Sequence, residues 1–449
     1  MILDFIKTDK NNLYYSIYKG ILSATTDGII KKGEKLPSVR EAALQLGVSR
    51  TTVENAYEKL CIEGIAESRP QRGYYIVSSV KHNQLNTMHM TEEKPNIKYD
   101  FSSRKIDNSA ADTENWKKLI RSVLRESEVL TSYGNPQGEY ELRVALSTYT
   151  YKARGVIAKP ENIVIGAGIG PLLNILCGIL GRDITVGMEN GGFKEAESIF
   201  SDYGINTITI KSDSNGAIID ELNKSGANVL FLIASALGKI SVTGISNRRT
   251  EFINWSNENE NRYIIEDDYN GELRYTARSV PAFQGKLVDK CIYIGSFSKL
   301  LLPSVRIAYM VLPDNLSDIF RSKMNYYNQT CGKTEQLALT EYISNGNLEK
   351  QLKKLRRLYY FKSKILLEKL REYPDMFKKI YLSESSLSVK IKTALTDDSL
   401  LICKECENQG IKVMAMQEKG YIKLAFAGIA REDINNAVDS LYQIMVKFL

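Results

Sequence analysis

Histidine is almost missing from this chain: two occur among 449 residues, His82 and His89, and both fall in the polar stretch "KHNQLNTMHMTEEKPN". Catalysis by histidine and metal held by histidine are therefore not expected in the body of the protein. Cysteine is also sparse, six in all, which is too few for a disulfide framework in a chain of this length. The one close pair, Cys403 and Cys406 in "CKEC", has no second pair to complete a zinc site and reads as helix packing. No apolar run approaches the roughly 18 residues of a membrane span, and the start, "MILDFIKTDKNN", lacks the apolar stretch of a secretory signal. A soluble, cytoplasmic protein with no membrane contact is expected.

What is present fits a globular protein of several domains: 43% hydrophobic and 25% charged residues, with a net charge of +7 that permits a polyanionic partner without requiring one. The polar stretch separates two differently patterned regions. Boundaries at 1–77, 78–98 and 99–449 are expected for a first domain, a linker and a second domain.

In the first region, "PSVREAALQLGVSRTTVENAYEKLCIEG" contains two short helical patterns across a tight turn. Pro37 suits the first turn of one helix, Gly47 the turn, and Ser49 the cap of a second helix. The segment "IAESRPQRGYYIV" alternates and turns at Pro70 to Gly73, as a hairpin wing does. A helix-turn-helix of this kind lays the N-terminal residues of its second helix against base edges, here Ser49, Arg50, Thr51 and Thr52, with Asn55 further along. Arg40 on the preceding helix and Arg72 beside Gly73 at the wing tip are placed to meet phosphate. Double-stranded operator DNA is the expected partner. Residues 36 to 64 resemble the winged-helix regulators of the GntR superfamily, meeting their pattern almost position for position.

From residue 99 onward short apolar strands alternate with helical segments: "NIVIGAG", "DITVGM", "NTITI", "NVLFLIA", "RYIIE" and "KCIYIGS". Such alternation predicts an α/β domain with a mostly parallel sheet, with functional groups at the carboxyl ends of the strands. "GAGIG" imitates a dinucleotide fingerprint, with Gly166, Gly168 and a strand-end acid at Glu189, but Pro171 stands where the third glycine is needed. A nicotinamide or flavin site is set aside.

The segment "YIGSFSKLLLPSVRIAYMVLP" raises a different possibility. A lysine just beyond a buried strand, Lys299, can be held as a neutral amine by desolvation and then form an imine with an aldehyde. Pyridoxal 5′-phosphate is the aldehyde cofactor used in this way, and the sequence offers each group it needs. Asp267 can hold the ring nitrogen protonated, Tyr269 can reach the ring phenolate, and Ser296, Ser298 and Arg306 can grip the phosphate. Gly168 and the helix start after it add backbone N–H groups.

Residues 99 to 449 resemble fold type I aminotransferases, and the whole chain resembles the MocR subfamily of GntR regulators. The matching motifs are "YGNPQGEYELR", "NRRTEFINWS", "IIEDDYNGELRY", "SFSKLLLPSVRIAY" and "LKKLRRLY". The resemblance implies a winged helix-turn-helix, a pyridoxal-phosphate-binding domain and a smaller C-terminal α+β subdomain. It carries the cofactor roles onto Lys299, Asp267, Tyr269 and Arg306, adds Phe193 as the aromatic over the ring, and implies a homodimer in which Tyr133 reaches the partner's phosphate. It also shows departures. Ile169 and Gly170 replace side-chain phosphate donors, Lys239 and Ile240 replace a polar pair, and Lys423 in "YIKLAFA" replaces the arginine that clamps a ligand carboxylate. A lysine lacks that bidentate grip, and loose orientation slows turnover. The expectation is a transcriptional regulator that senses an amine, an amino acid or pyridoxal phosphate at Lys299. An active aminotransferase with an accessory DNA-binding domain is the alternative.

Overall fold

The structure is a computed structural model that describes residues 12–78, 96–102, 106–107, 109–189, 193–213, 216–233, 242–275, 280–382, 387–395, 397–416 and 418–448, with the backbone alone at 130 and 242–246. It divides into two compact units, Met1–Lys94 and Pro95–Leu449. His82, His89 and most of the expected linker lie outside the described residues, as do Lys239 and Ile240.

The smaller unit consists of α1 (Leu13–Thr26), α2 (Val39–Leu46), α3 (Arg50–Ile62) and a hairpin of β1 (Ala66–Arg69) with β2 (Gly73–Ile76). Ile17, Ile21, Leu36, Ala42, Val53, Tyr57, Leu60 and Ile76 close its core. The start of α2 differs from the sequence reading. Pro37 precedes the helix and Ser38 is its N-cap, because the Ser38 hydroxyl accepts the Glu41 N–H while the Glu41 carboxylate accepts the Ser38 N–H. Gly47 ends α2 at φ 65°, a left-handed conformation that costs glycine little.

The larger unit is built on a seven-stranded sheet. In chain order its elements include α4 (Tyr140–Arg154), β3 (Ile163–Gly166), α5 (Ile169–Leu180), β4 (Thr185–Glu189), α6 (Lys194–Asp202), β5 (Asn206–Ile210), β6 (Val229–Ile233), β7 (Tyr263–Asp268), β8 (Cys291–Ser296) and β9 (Ala308–Val311). The strands lie in the order β3-β9-β8-β7-β6-β4-β5. All six apolar segments singled out above are strands. The sequence reading missed β9, which runs antiparallel to both neighbours. Its apolar run looks like that of any buried strand, so periodicity says nothing about its direction.

A long helix α7 (Asn347–Arg371) leads to a second sheet of β10 (Phe377–Leu382), β11 (Ser388–Thr393), β12 (Met414–Ala415) and β13 (Tyr421–Ala425), with α8 (Ser399–Asn408) beside it. Cys406 of α8 is in the core and Cys403 packs against it. Lys362 of α7 is fully buried and meets Asp107 Oδ2 at 2.6 Å, the Ile429 carbonyl at 2.5 Å and the Ala427 carbonyl at 3.1 Å. Two distant parts of the chain, at Asp107 and at Ala427 to Ile429, are thereby tied to one ammonium group on α7. No helix among the described residues is long and apolar enough to cross a membrane.

Candidate functional site

Strand register brings the expected cofactor residues to one edge of the large sheet. Ser296, the last residue of β8, pairs with Ala308 of β9, which pairs in turn with Gly166 at the end of β3. On the other side of β8, Asp267 pairs with Ile294 and Asp268 with Gly295. The carboxyl ends of β3, β7 and β8 are therefore neighbours, although they come from positions 166, 268 and 296.

Residues 297–307 form a loop whose two ends are pinned by the Ser296–Ala308 pairing and by the Phe297 N–H donated to the Ile307 carbonyl at 3.0 Å. This loop carries Ser298, Lys299 and Arg306. The Ser296 hydroxyl accepts the Ser298 N–H at 3.3 Å and donates to the Ser298 hydroxyl at 3.2 Å. Lys299 is half-buried, and burial lowers the pKa of its ammonium. Arg306 adopts φ 52°, in the left-handed region that non-glycine residues rarely occupy.

Gly168 caps α5 with φ 108°, and a Cβ built there would lie 2.5 Å from Arg306 Nη2. The missing side chain leaves the guanidinium room beside the start of α5, whose first turn has unsatisfied N–H groups. The two features together make a cradle for an anion. Ile169 and Gly170 are the first residues of this helix and contribute backbone alone to such a cradle.

Asp267 is 5% exposed, and burial followed by the charge of Asp268 pushes its pKa up to about 8. A carboxyl held this far above its usual range suits a partner that brings a proton and a positive charge. Tyr269 follows at the strand end, half-buried. Phe193 stands just before α6 and packs against the core beneath the same sheet. These residues fit pyridoxal phosphate in donor type and placement. Among the described residues no group of carboxylates, thiols and imidazoles suits a metal ion.

Two expected residues lie apart from this edge. Tyr133 precedes α4 and is fully exposed in a single chain. Lys423 is on β13 of the second sheet, directly across from Lys390 on β11 and Met414 on β12. Glu189, which imitated a dinucleotide-binding acid, accepts the Ala217 N–H at 2.8 Å, a bond within the fold.

Sequence reasoning missed the charged layer on the opposite face of β7. Asp268 Oδ2 receives Arg154 Nε at 2.6 Å and the Tyr293 hydroxyl at 3.0 Å. Nearby, Tyr149 donates to Glu272 at 3.2 Å, and Glu266 accepts the Phe283 N–H at 2.8 Å. The signal was the acidic run in "EDDYNGE", but nothing local identifies Arg154 as its partner.

In the smaller unit, the Ser49 hydroxyl accepts the Thr52 N–H at 3.1 Å and lies 2.7 Å from the Thr52 hydroxyl. Both residues thus shape the start of α3. Arg50, Thr51 and Asn55 stand exposed along it, and Arg40 on α2 is exposed as well. Tyr57 ties α3 to the preceding segment by donating to the Pro37 carbonyl at 3.0 Å. At the wing, Arg69 pairs with Gly73 and Arg72 is exposed between them, next to Gln71 with φ 57°. The arrangement offers a basic helix start and a basic hairpin tip, the two parts a winged helix uses on a duplex.

Fold and sites define a class of protein: a winged-helix transcriptional regulator joined to an aminotransferase-like domain. Residues 13–76 match the bacterial regulatory proteins of the gntR family, and residues 98–441 match the class I and II aminotransferases. The chain belongs to the GntR regulators, in the MocR group that carries this second domain. It is 33% identical to the uncharacterized HTH-type transcriptional regulator YdeL of Bacillus subtilis, with 96% of each chain covered. It is 24% identical to the probable rhizopine catabolism regulatory protein MocR of Rhizobium meliloti, over 96% of this chain and 93% of that one. Among solved structures, an archaeal alanine:glyoxylate aminotransferase matches with a TM-score of 0.70 at 20% identity, covering 78% of this chain and 91% of its own. That likeness is one of fold.

Proposed function

We propose that the chain regulates transcription by coupling operator binding through Arg50, Thr51 and the wing to the state of a pyridoxal-phosphate site at Lys299. The observation that supports this most is the pairing of Lys299 and Arg306 on one pinned loop, beside Gly168 and one strand from Asp267. When bound, the cofactor supplies an aldehyde that bonds reversibly to primary amines. Lys299, its ammonium pKa lowered by burial, gives up its proton for that bond more readily than an exposed lysine. Asp267 would hold a proton at the ring nitrogen, Tyr269 would donate toward the ring oxygen, and Phe193 would cover the ring. Arg306, Ser296, Ser298 and the N–H groups after Gly168 would take the phosphate. Tyr133 of each chain would serve the site of a second copy, so the working unit is a homodimer. The signal is an amine, an amino acid or the cofactor itself, and Lys423 meets its acidic group. The first domain is proposed to end at residue 77 and the second to begin at 99.

Borohydride trapping of cofactor-saturated protein, followed by peptide mass analysis, tests the site. The label is expected on Lys299, and a label elsewhere or none at all rejects it. Turnover is a second reading, favoured by the presence of Lys299, Asp267, Tyr269 and Arg306 together. Lys423 weighs against it, because one ammonium orients a carboxylate less firmly than a guanidinium. Steady keto-acid formation from a panel of amino donors would establish the enzyme instead.

A further inference from the structure

Residues 329 to 336 lead into the helix Lys333–Ser344 and run between two parts of the site that lie far apart in the sequence. On one side is the turn from β3 into α5. Gly166 ends the strand pairing, and the next N–H, that of Ala167, donates to Thr330 Oγ1 at 3.2 Å. Gly168 follows, with the Arg306 guanidinium against it. The Thr330 hydroxyl therefore holds the residue that joins the strand end to the anion cradle.

On the other side is the loop that carries Tyr133. Just before it, the Ser132 hydroxyl accepts Lys333 Nζ at 2.7 Å. Just after it, Gly134 has no side chain, and a Cβ built there would fall on the Gln329 amide, so that amide lies against bare backbone. Gln329 Nε2 also donates to Glu139 Oε1 at 3.3 Å, the same oxygen that accepts the Asn135 N–H at 3.0 Å. The buried Gln336 ties the two stretches once more: its Oε1 accepts the Glu139 N–H at 2.8 Å and its Nε2 donates to the Cys331 carbonyl at 3.0 Å. Both neighbours of Tyr133 are thus fixed while its ring stands fully exposed. A ring presented on backbone that is already ordered costs a partner little entropy to engage.

We infer that Thr330 and Gln329 are positioning residues for the two phosphate contacts of the site: Thr330 sets the cradle of its own chain, and Gln329 sets the tyrosine offered to a second copy. This rests on the proposed function for the cofactor and for the reach of Tyr133. Thr330 acts through the Ala167 N–H, which loses its acceptor when the hydroxyl is removed. Gln329 acts through the backbone at Gly134 and through Glu139. Both effects concern the phosphate and leave the ring of the cofactor untouched.

Spectroscopic titration of the full chain with pyridoxal 5′-phosphate, and with pyridoxal, which lacks the phosphate, tests this. In Thr330→Val the dissociation constant for pyridoxal phosphate should rise about fivefold or more, as for one lost hydrogen bond, and return in Thr330→Ser, while that for pyridoxal stays at the parent value. An unchanged constant for pyridoxal phosphate overturns the role of Thr330, and so does an equal loss for pyridoxal, which would mark a general effect on packing. Gln329→Ala should weaken pyridoxal phosphate by about the same factor in the parent and by no further factor in a Tyr133→Phe background, as two residues acting through one contact do. No loss in Gln329→Ala, or a loss that persists in full beside Tyr133→Phe, overturns the role of Gln329. Borohydride trapping of the parent judges the proposed function separately. A label on Lys299 with unaltered affinities in both variants rejects this inference alone, and no label on Lys299 rejects the proposed function and this inference with it.

Discussion

Arg154 and Asp268, 114 residues apart in the chain, meet at 2.6 Å with their side chains 5% and 0% exposed. The carboxylate also accepts the Tyr293 hydroxyl, and its neighbour on the strand is Asp267. A charge pair in this position fixes the end of β7 from beneath.

Removing one partner should cost more than the pair is worth. Arg154→Leu leaves a buried carboxylate without its cation, and about 3–5 kcal/mol of stability should be lost. Urea unfolding of the cofactor-free protein measures this, and a loss below about 1 kcal/mol would show that Asp268 finds another partner.

The raised pKa of Asp267 predicts a pH dependence. Its folded value, about 8, lies above the unfolded value of 3.8, so the folded state binds the extra proton between them. The contribution of this group to stability is therefore fully present below about pH 4 and is lost as the pH rises to about 8. In Asp267→Asn this part of the slope should vanish, so the variant gains on the parent as pH rises. Melting temperatures of cofactor-free protein across that range test it, and parallel curves would reject it.

Gly168→Ala puts a methyl group against Arg306 at a backbone angle of φ 108°. Affinity for pyridoxal phosphate should fall about tenfold or more, by the loss of one or two charge-assisted bonds to phosphate. Fluorescence titration gives the value, while unchanged circular dichroism shows that the fold is kept.

On the DNA side, Arg50→Ala should weaken operator binding by about 1–3 kcal/mol if the side chain reads a base. A loss equal on all sequences, with a shallower salt dependence, would assign it to phosphate instead. Fluorescence anisotropy at several salt concentrations separates the two. Ser49→Ala should act through the helix start, costing about 1 kcal/mol of stability in the smaller unit.

Much of this was legible because it is local. Gly47, Ser49 and the hairpin turn announce themselves through backbone geometry that few residue types supply, and the parallel strands through short apolar runs between helices. Lys299, Arg306 and Ser296 sit within one contiguous motif, so their nearness needed only a loop. Arg154–Asp268 and Lys362–Asp107 could not be read, since each joins groups that only the finished packing brings together. The Lys390–Lys423 pair was hidden for a similar reason: register between strands decides it, and register is set by pairing rather than by composition.

The pinned loop from Ser296 to Ala308 has an evolutionary corollary. An insertion or deletion within it would disturb the proposed anchoring amine and the proposed phosphate clamp in a single stroke, which leaves this architecture little freedom there. New ligand preferences would then arise on surfaces contributed by other stretches of chain, such as the second sheet, where Lys423 can change without touching that loop.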